Sequence, residues 1–146
     1  MSYKGPYKPN NVQKYKGNPT EVYYRSLWEL KCMRKFDASD AIEEWSSEEI
    51  AIPYYCPIKK RWRRYFPDFY IKAKNSKGEL TEYIIEVKPF KETKKPVPPK
   101  DGRKRRRYLS EARKYINNTS KWDAAEEYCA DRKWTFQVWT EKSMNF

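Results

Sequence analysis

Hydrophobic positions along the chain change period several times, and each change marks an element. In "TEVYYRSLWELKCMRKF" (residues 20–36) the apolar residues recur at helical spacing, with no Pro or Gly and with Thr20 placed as an N-cap. At about 100° per residue, Phe36, Val22, Met33, Ser26, Leu30, Tyr23 and Leu27 share one broad face. Glu29 falls inside that arc and not beside Lys31 and Lys35. It is either a boundary glutamate paired with Arg25 or a carboxylate turned toward a site.

Alternation replaces the helical period in "WSSEEIAIPYYCPIKKRWRRYFPDFYIK", which Pro53 and Pro57 interrupt. The pattern predicts a first strand near 49–55, a basic turn, and a second strand near 62–72. "NSKGE" supplies a hairpin loop with Gly78 where a positive φ is required, and "ELTEYIIEVK" a third strand. The three strands are expected as an antiparallel meander.

A linker over 89–107 contains Pro96, Pro98 and Pro99 and ends in a basic run. "RYLSEARKYI" then carries Leu109, Ala112, Tyr115 and Ile116 at helical spacing, and "NTSKWDAAEEYCADR" predicts a second helix capped by Asn118 or Thr119. "KWTFQVWT" alternates as a last strand, which a helical crossover lets join the sheet in parallel. The order α, β, β, β, α, α, β predicts an α/β fold, a mixed α+β sheet flanked by helices, as a single domain over 20–146. Residues 1–19 are rich in Lys, Gly, Pro and Asn without apolar periodicity, and are expected to form a flexible basic arm. Its Tyr-Lys pairs at Tyr3, Tyr7 and Tyr15 are secondary candidates for stacking on bases.

Two strands carry residues that are costly to bury. Asp68 sits between Phe66 and Tyr70, and Glu86 and Lys88 interrupt Tyr83, Ile84, Ile85 and Val87. With the loop centred on Lys77, Asp68 lies directly opposite Glu86, and Lys88 shares their side of the sheet. Two carboxylates so opposed are destabilising unless a positive charge lies between them, and a divalent cation with oxygen ligands is the natural candidate. The alternative is an exposed sheet face with a Lys88 ion pair, which would also expose Phe66, Tyr70 and Ile84.

Composition narrows the chemistry. The 146 residues suit one domain, and 32 Lys+Arg against 20 Asp+Glu give a formal charge of +12, which points to a polyanionic partner. Candidate phosphate-binding residues are Arg61, Arg63 and Arg64 in the basic turn, and Arg103, Lys104, Arg105, Arg106 and Arg107 after the linker. The absence of histidine excludes Ser-His-Asp triads, HExxH zinc sites and histidine-based nuclease motifs. Cys32, Cys56 and Cys129 are odd in number and widely spaced, as expected of reduced packing residues. No apolar run has the roughly 18 residues of a membrane helix and no apolar signal segment opens the sequence, so a cytosolic location is expected.

Glu29, the Pro67-Asp68 pair and Glu86-Val87-Lys88 resemble the E…PD…(D/E)xK signature of the PD-(D/E)XK nuclease superfamily, whose restriction-endonuclease-like core has this element order. "YRSLWELKCMRKFD", "EWSSEEIAIPYYCPIKKRWRRYFPDF" and "IIEVKP" more closely resemble the head completion nucleases of T4-like tailed phages, and more remotely the TnsA-type transposon endonucleases. The likeness spans roughly residues 22–140 and leaves the N-terminal arm outside.

The resemblance implies a metal-dependent deoxyribonuclease in which Asp68 and Glu86 bind Mg²⁺, with Mn²⁺ able to substitute, and Glu29 assists directly or through water. It gives Lys88 the task of orienting or activating the attacking water. It further implies double-stranded DNA as substrate, portal or neck (head–tail connector) proteins as partners, and a place in the host cytoplasm during phage assembly or at the head–tail junction. Two other readings are a non-catalytic DNA-binding head or neck protein and a transposon end-cleaving subunit with a partner recombinase. A pure binding protein would gain more from neutral or basic residues beside a phosphate backbone, so the acidic set favours hydrolysis.

Overall fold

Among residues 3–144, the part of the chain that the computed structural model describes, the elements in order are β1 (Gly5–Pro6), β2 (Tyr23–Tyr24), α1 (Leu27–Ala38), β3 (Ile42–Ser47), β4 (Ile52–Cys56), β5 (Arg61–Tyr65), β6 (Phe69–Lys74), β7 (Leu80–Val87), α2 (Arg105–Arg132), β8 (Thr135–Trp139) and α3 (Glu141–Met144). The central sheet has the order β3-β6-β7-β8; its first two pairings are antiparallel and the last is parallel. One face carries Phe69, Ile71 and Ile85 against Met33 and Phe36 of α1. The other carries Tyr70, Ile84 and Phe136 against Ala125 and Cys129 of α2. The fold is therefore the expected mixed α+β sheet between helices.

The identity of the first strand differs from expectation. β3 is masked in the sequence by Glu43, Glu44 and the serines that follow, yet Trp45 is fully buried and Ser46 nearly so. The segment expected near 62–72 is two strands, β5 and β6, separated by Phe66-Pro67-Asp68. Because Pro67 lacks an N–H and biases its predecessor's conformation, the ladder breaks there. β4 and β5 pair only with each other, and their hairpin rests on α2 through Ile52, Tyr54, Cys56 and Tyr65. The antiparallel meander is β3-β6-β7 instead.

The β6-β7 hairpin has the expected register. Phe69 pairs with Ile85 and Lys74 with Leu80, around a turn in which the Asn75 side chain accepts the Lys77 and Glu79 N–H groups and Gly78 adopts φ +78°. A substituent at Gly78 would meet open space, so its requirement is conformational.

Both helix expectations shift. α1 begins at Leu27, because Ser26 is the N-cap whose side chain accepts the Glu29 N–H; Thr20 lies in a short 3₁₀ turn (Pro19–Glu21) capped by Asn18. The two predicted C-terminal helices are one helix of 28 residues, about 42 Å long. Thr119 and Ser120 do not cap a new helix, since both hydroxyls donate back to the Ile116 carbonyl. Lys133, at φ 61°, ends the helix.

The N-terminal segment is not a free arm. Tyr15 packs edge-on against Trp45 with centroids 4.8 Å apart, and Tyr7 packs on the same indole. Asp37, 2% exposed, accepts the Asn10 and Asn11 N–H groups, while Lys14 Nζ donates to the Asp37 and Ser39 carbonyls. Burial of Tyr15, packing of the half-buried Tyr7 and saturation of a buried carboxylate hold the segment on the core. Tyr7 and Tyr15 are thus engaged internally, not held out for bases. Cys32, Cys56 and Cys129 are free and buried, as expected. No helix among the described residues is long and apolar enough to cross a membrane.

Candidate active site

Where β6 begins and β7 ends, the ladder hands over from backbone pairing to side chains. The Val87 N–H donates to Asp68 Oδ2 at 2.7 Å, and the Asp68 N–H to Glu86 Oε1 at 3.4 Å. Neighbouring strands fix both residues: the Glu48 N–H donates to the Asp68 carbonyl, Glu86 is registered with Val138 of β8, and the Lys88 N–H donates to the Trp139 carbonyl. Glu86 is 5% exposed and Asp68 is partly open to solvent. Tyr70 and Ile84, on the same side of the sheet, are buried, so this is not an exposed face; Phe66, before the break, is the exposed exception.

The Glu86 charge makes the Asp68 charge costlier. Burial, then the Glu86 charge, then Glu29 push the Asp68 carboxyl well above its ordinary range, against the pull of the Val87 N–H. Glu29, whose role the helical pattern alone does not decide, approaches from the N-terminus of α1. Its carboxylate accepts from the Arg25 N–H at 3.3 Å and from the Ser26 hydroxyl at 3.4 Å, which ties it to the N-cap of α1. Arg25's guanidinium instead forks onto Glu48 at 2.9 and 3.1 Å. Burial raises the Glu29 pKa, with Glu48 adding to the effect. Glu29 and Lys88 line one cleft together with Trp28, Val87, Glu92 and Lys114.

Two residues that sequence reasoning does not single out complete the surroundings. Lys121 of α2 lies over the Tyr65 ring (5.6 Å to its centroid) and the Tyr54 ring (6.0 Å). Burial lowers its pKa, the Glu86 charge opposes this, and the positive charges of Lys88 and Arg63 reinforce it. Tyr65 is 4% exposed, with its hydroxyl in the field of Glu86 and Asp68 and without a well-formed hydrogen bond among the described residues. Only the helical repeat could have pointed to Lys121: it shares a stripe with Lys114 and Asn118.

The oxygen donors suit a hard cation. Mg²⁺ uses one or two carboxylates and keeps several waters, so Asp68 and Glu86, already opposed and held by backbone N–H groups, provide enough protein ligands. Among the described residues no group of three or more His, Cys, Asp or Glu side chains converges on a single ion position. Glu29, held in its cap, faces the pair without joining it.

The basic residues divide. Arg61, Arg63 and Arg64 are exposed on β5, beside an exposed Trp62, and the charge of Arg63 acts on Lys121. Arg103 and Lys104 lie in a 3₁₀ turn (Gly102–Lys104) before α2. Arg107 turns toward the linker and pairs with Glu111, whereas Arg105 and Arg106 line a separate shallow depression.

Residues 39–141 match the model of the TnsA-like endonuclease N-terminal family. The head completion nuclease of Enterobacteria phage T4 is 37% identical over 146 residues, spanning 99% of this chain and 95% of that protein, so the likeness extends beyond the span expected from sequence and includes the N-terminal segment. No solved structure matches. By the match over residues 39–141, the chain belongs to the TnsA-like endonuclease family.

Proposed function

We propose that this protein is a Mg²⁺-dependent DNA nuclease of phage head completion, which hydrolyses phosphodiester bonds of packaged DNA so that a filled head can join its tail. The observation that carries the proposal is the facing pair Asp68 and Glu86, with Lys88 two residues further along the chain and Lys121 in the field of Glu86, in a chain of charge +12. The T4 relative's name supports the biological setting. Double-stranded DNA is the substrate, portal or neck proteins are the partners at the head, and the host cytoplasm during assembly is the place.

Asp68 and Glu86 would hold the ion. When bound, it would supply Lewis-acid polarisation of the phosphate and a water of lowered pKa. Lys88, as a compact point charge, holds a non-bridging phosphate oxygen and orients the incoming water. Lys121, desolvated over Tyr65, adds a second cation where charge builds on the phosphate, and such a cation acts most strongly where water is excluded. The buried Tyr65 hydroxyl supplies a donor that can restrain Glu86. Glu29 acts through water, because its own oxygens are committed to the α1 cap.

The test is incubation with linear and with circular DNA, in Mg²⁺ and in EDTA. Cutting in Mg²⁺ alone is expected, and cutting of circles would make the enzyme an endonuclease. Binding without cutting in either condition would replace the proposal with a DNA-binding structural role.

A further inference from the structure

The cleft that holds Glu29 and Lys88 does not end at the catalytic residues. Its Glu92 and Lys114 form a 2.7 Å ion pair between the linker and α2, and both residues also line a second cavity of ≈ 410 Å³. That cavity lies between the linker and the same face of α2 that presents Lys121. Lys114, Asn118 and Lys121 follow at helical spacing on one stripe.

Three properties suit the cavity to a nucleotide. Its lining includes five cations against two carboxylates, and both carboxylates are already paired, Glu92 with Lys114 and Glu111 with Arg107. Lys91, Lys94 and Lys95 therefore remain without an ion pair among the described residues. Asn118, 5% exposed, forms part of the wall, and its Nδ2 has no hydrogen-bond partner among the described residues. A buried amide donor left unpaired is costly, and a turn of the Asn118 side chain toward the cavity would bring it to a ligand acceptor. The volume lies in the range of small-molecule sites, roughly 300–1,000 Å³, and cannot admit a duplex whose major groove alone is about 12 Å wide. One nucleotide fits.

We propose that this cavity is a strand-binding subsite: it takes a single nucleotide of a DNA strand, its phosphate on Lys94 and Lys95 and a polar edge of the base or sugar on Asn118. Its position in the substrate rests on Asp68 and Glu86 being the cutting site. Lys121 and Lys114 are about 10 Å apart along the helix axis, a gap that a short stretch of one strand would bridge. The enzyme would thus hold one strand individually a few nucleotides from the bond it cuts, instead of reading the duplex only from outside.

The test measures binding in EDTA, with no turnover, so it is independent of whether Asp68 and Glu86 hydrolyse DNA; cleavage by Asp68→Asn tests that separately. The probe is a 5′-phosphorylated, 3′-fluorescent hexathymidylate followed by anisotropy. The double variant Lys94→Ala/Lys95→Ala is expected to bind about tenfold more weakly, with a salt slope smaller by about 0.7 because one single-strand phosphate is no longer neutralised. Asn118→Leu should weaken binding without changing that slope. Lys74→Ala/Lys77→Ala, an equal charge loss at the far end of the β6-β7 hairpin, should bind within twofold of wild type. If the two lysine doubles weaken binding equally, or if inorganic phosphate or an acidic peptide displaces the probe as well as unlabelled hexathymidylate does, the subsite is overturned. Should Asn118→Leu fail to fold, the lysine doubles alone decide.

Discussion

Asp68 and Glu86 face one another at the end of the β6-β7 hairpin, each tied to the other's strand: Asp68 Oδ2 accepts the Val87 N–H at 2.7 Å, and Glu86 Oε1 the Asp68 N–H at 3.4 Å. Such mutual tethering fixes two like charges in place without neutralising them. The arrangement is strained electrostatically, and on the proposed function a cation would relieve it.

Catalysis should therefore be lost through single isosteric changes. Asp68→Asn, Glu86→Gln and Lys88→Ala are each expected to abolish Mg²⁺-dependent cleavage with near-UV circular dichroism unchanged. Glu29→Gln keeps an acceptor for the Arg25 N–H and should lose activity less completely. Wild-type cutting by any two of the first three would remove the site from its assignment.

The same pair predicts a pH signature without metal. Burial and Glu86 raise the folded pKa of Asp68, so between about 3.9 and that raised value the folded chain binds more protons than the unfolded one. Stability then falls as pH rises through this window and levels off above it. Asp68→Asn lacks this contribution, so in EDTA its advantage over wild type should be absent below about pH 3.9 and grow with pH. Urea denaturation from pH 3 to 8 measures it; parallel curves for the two proteins would show that the charged form of Asp68 is not penalised.

Metal should reverse that penalty. A cation bound only by the folded state adds RT ln(1 + [L]/Kd), roughly 1.4 kcal/mol at 10 mM Mg²⁺ for an assumed millimolar Kd. At about 2–4 °C per kcal/mol, the melting temperature should rise by about 3–5 °C in wild type and hardly at all in Asp68→Asn. An equal rise in both, at matched ionic strength, would place the ion elsewhere.

What the sequence disclosed and what it hid have physical causes. The register of Asp68 with Glu86 was legible because it is set locally: Asn75 and Gly78 admit one turn, and alternation carries the rest. β3 was not legible, since its buried residues are Trp45, Ser46 and Ser47, not an apolar stripe. Asn118 and Thr119 looked like caps because their side chains can bond backbone, yet in α2 the Thr119 and Ser120 hydroxyls turn back to Ile116. Lys121 and Tyr65 meet the site only through tertiary packing, across a gap no local pattern spans. The N-terminal segment has no periodicity at all; two tyrosines and one aspartate hold it.

That last point is measurable. Tyr15, 7% exposed, packs on Trp45, and its hydroxyl donates to the Ser47 carbonyl at 3.3 Å and accepts the Ser47 N–H at 3.1 Å. Tyr15→Ala should cost about 3–5 kcal/mol, as large aromatic truncations do. Tyr3→Ala, at a side chain 54% exposed, should fall within about 0.5 kcal/mol of wild type. Similar small losses from both would restore the free arm.

DNA affinity should divide along the same lines as the basic residues. Arg61, Arg63 and Arg64 line one open depression on β5 and the charge of Arg63 acts on Lys121, so duplex bound at Asp68 and Glu86 is expected to pass over them. Arg105 and Arg106 line a depression separate from the one Arg107 enters, and helix geometry turns them about 100–200° away from it. Removing a side chain that neutralises one phosphate of duplex DNA reduces the slope of log K against log salt by about 0.9. Replacing the three β5 arginines with alanine should therefore flatten the slope by about 2 to 3, and replacing Arg105 and Arg106 should change it by less than about 0.5. Salt titrations of binding in EDTA compare the two variants directly. A larger effect from the α2 pair would move the duplex to the outer face of the helix, away from the carboxylates, and the path of DNA across β5 would be wrong.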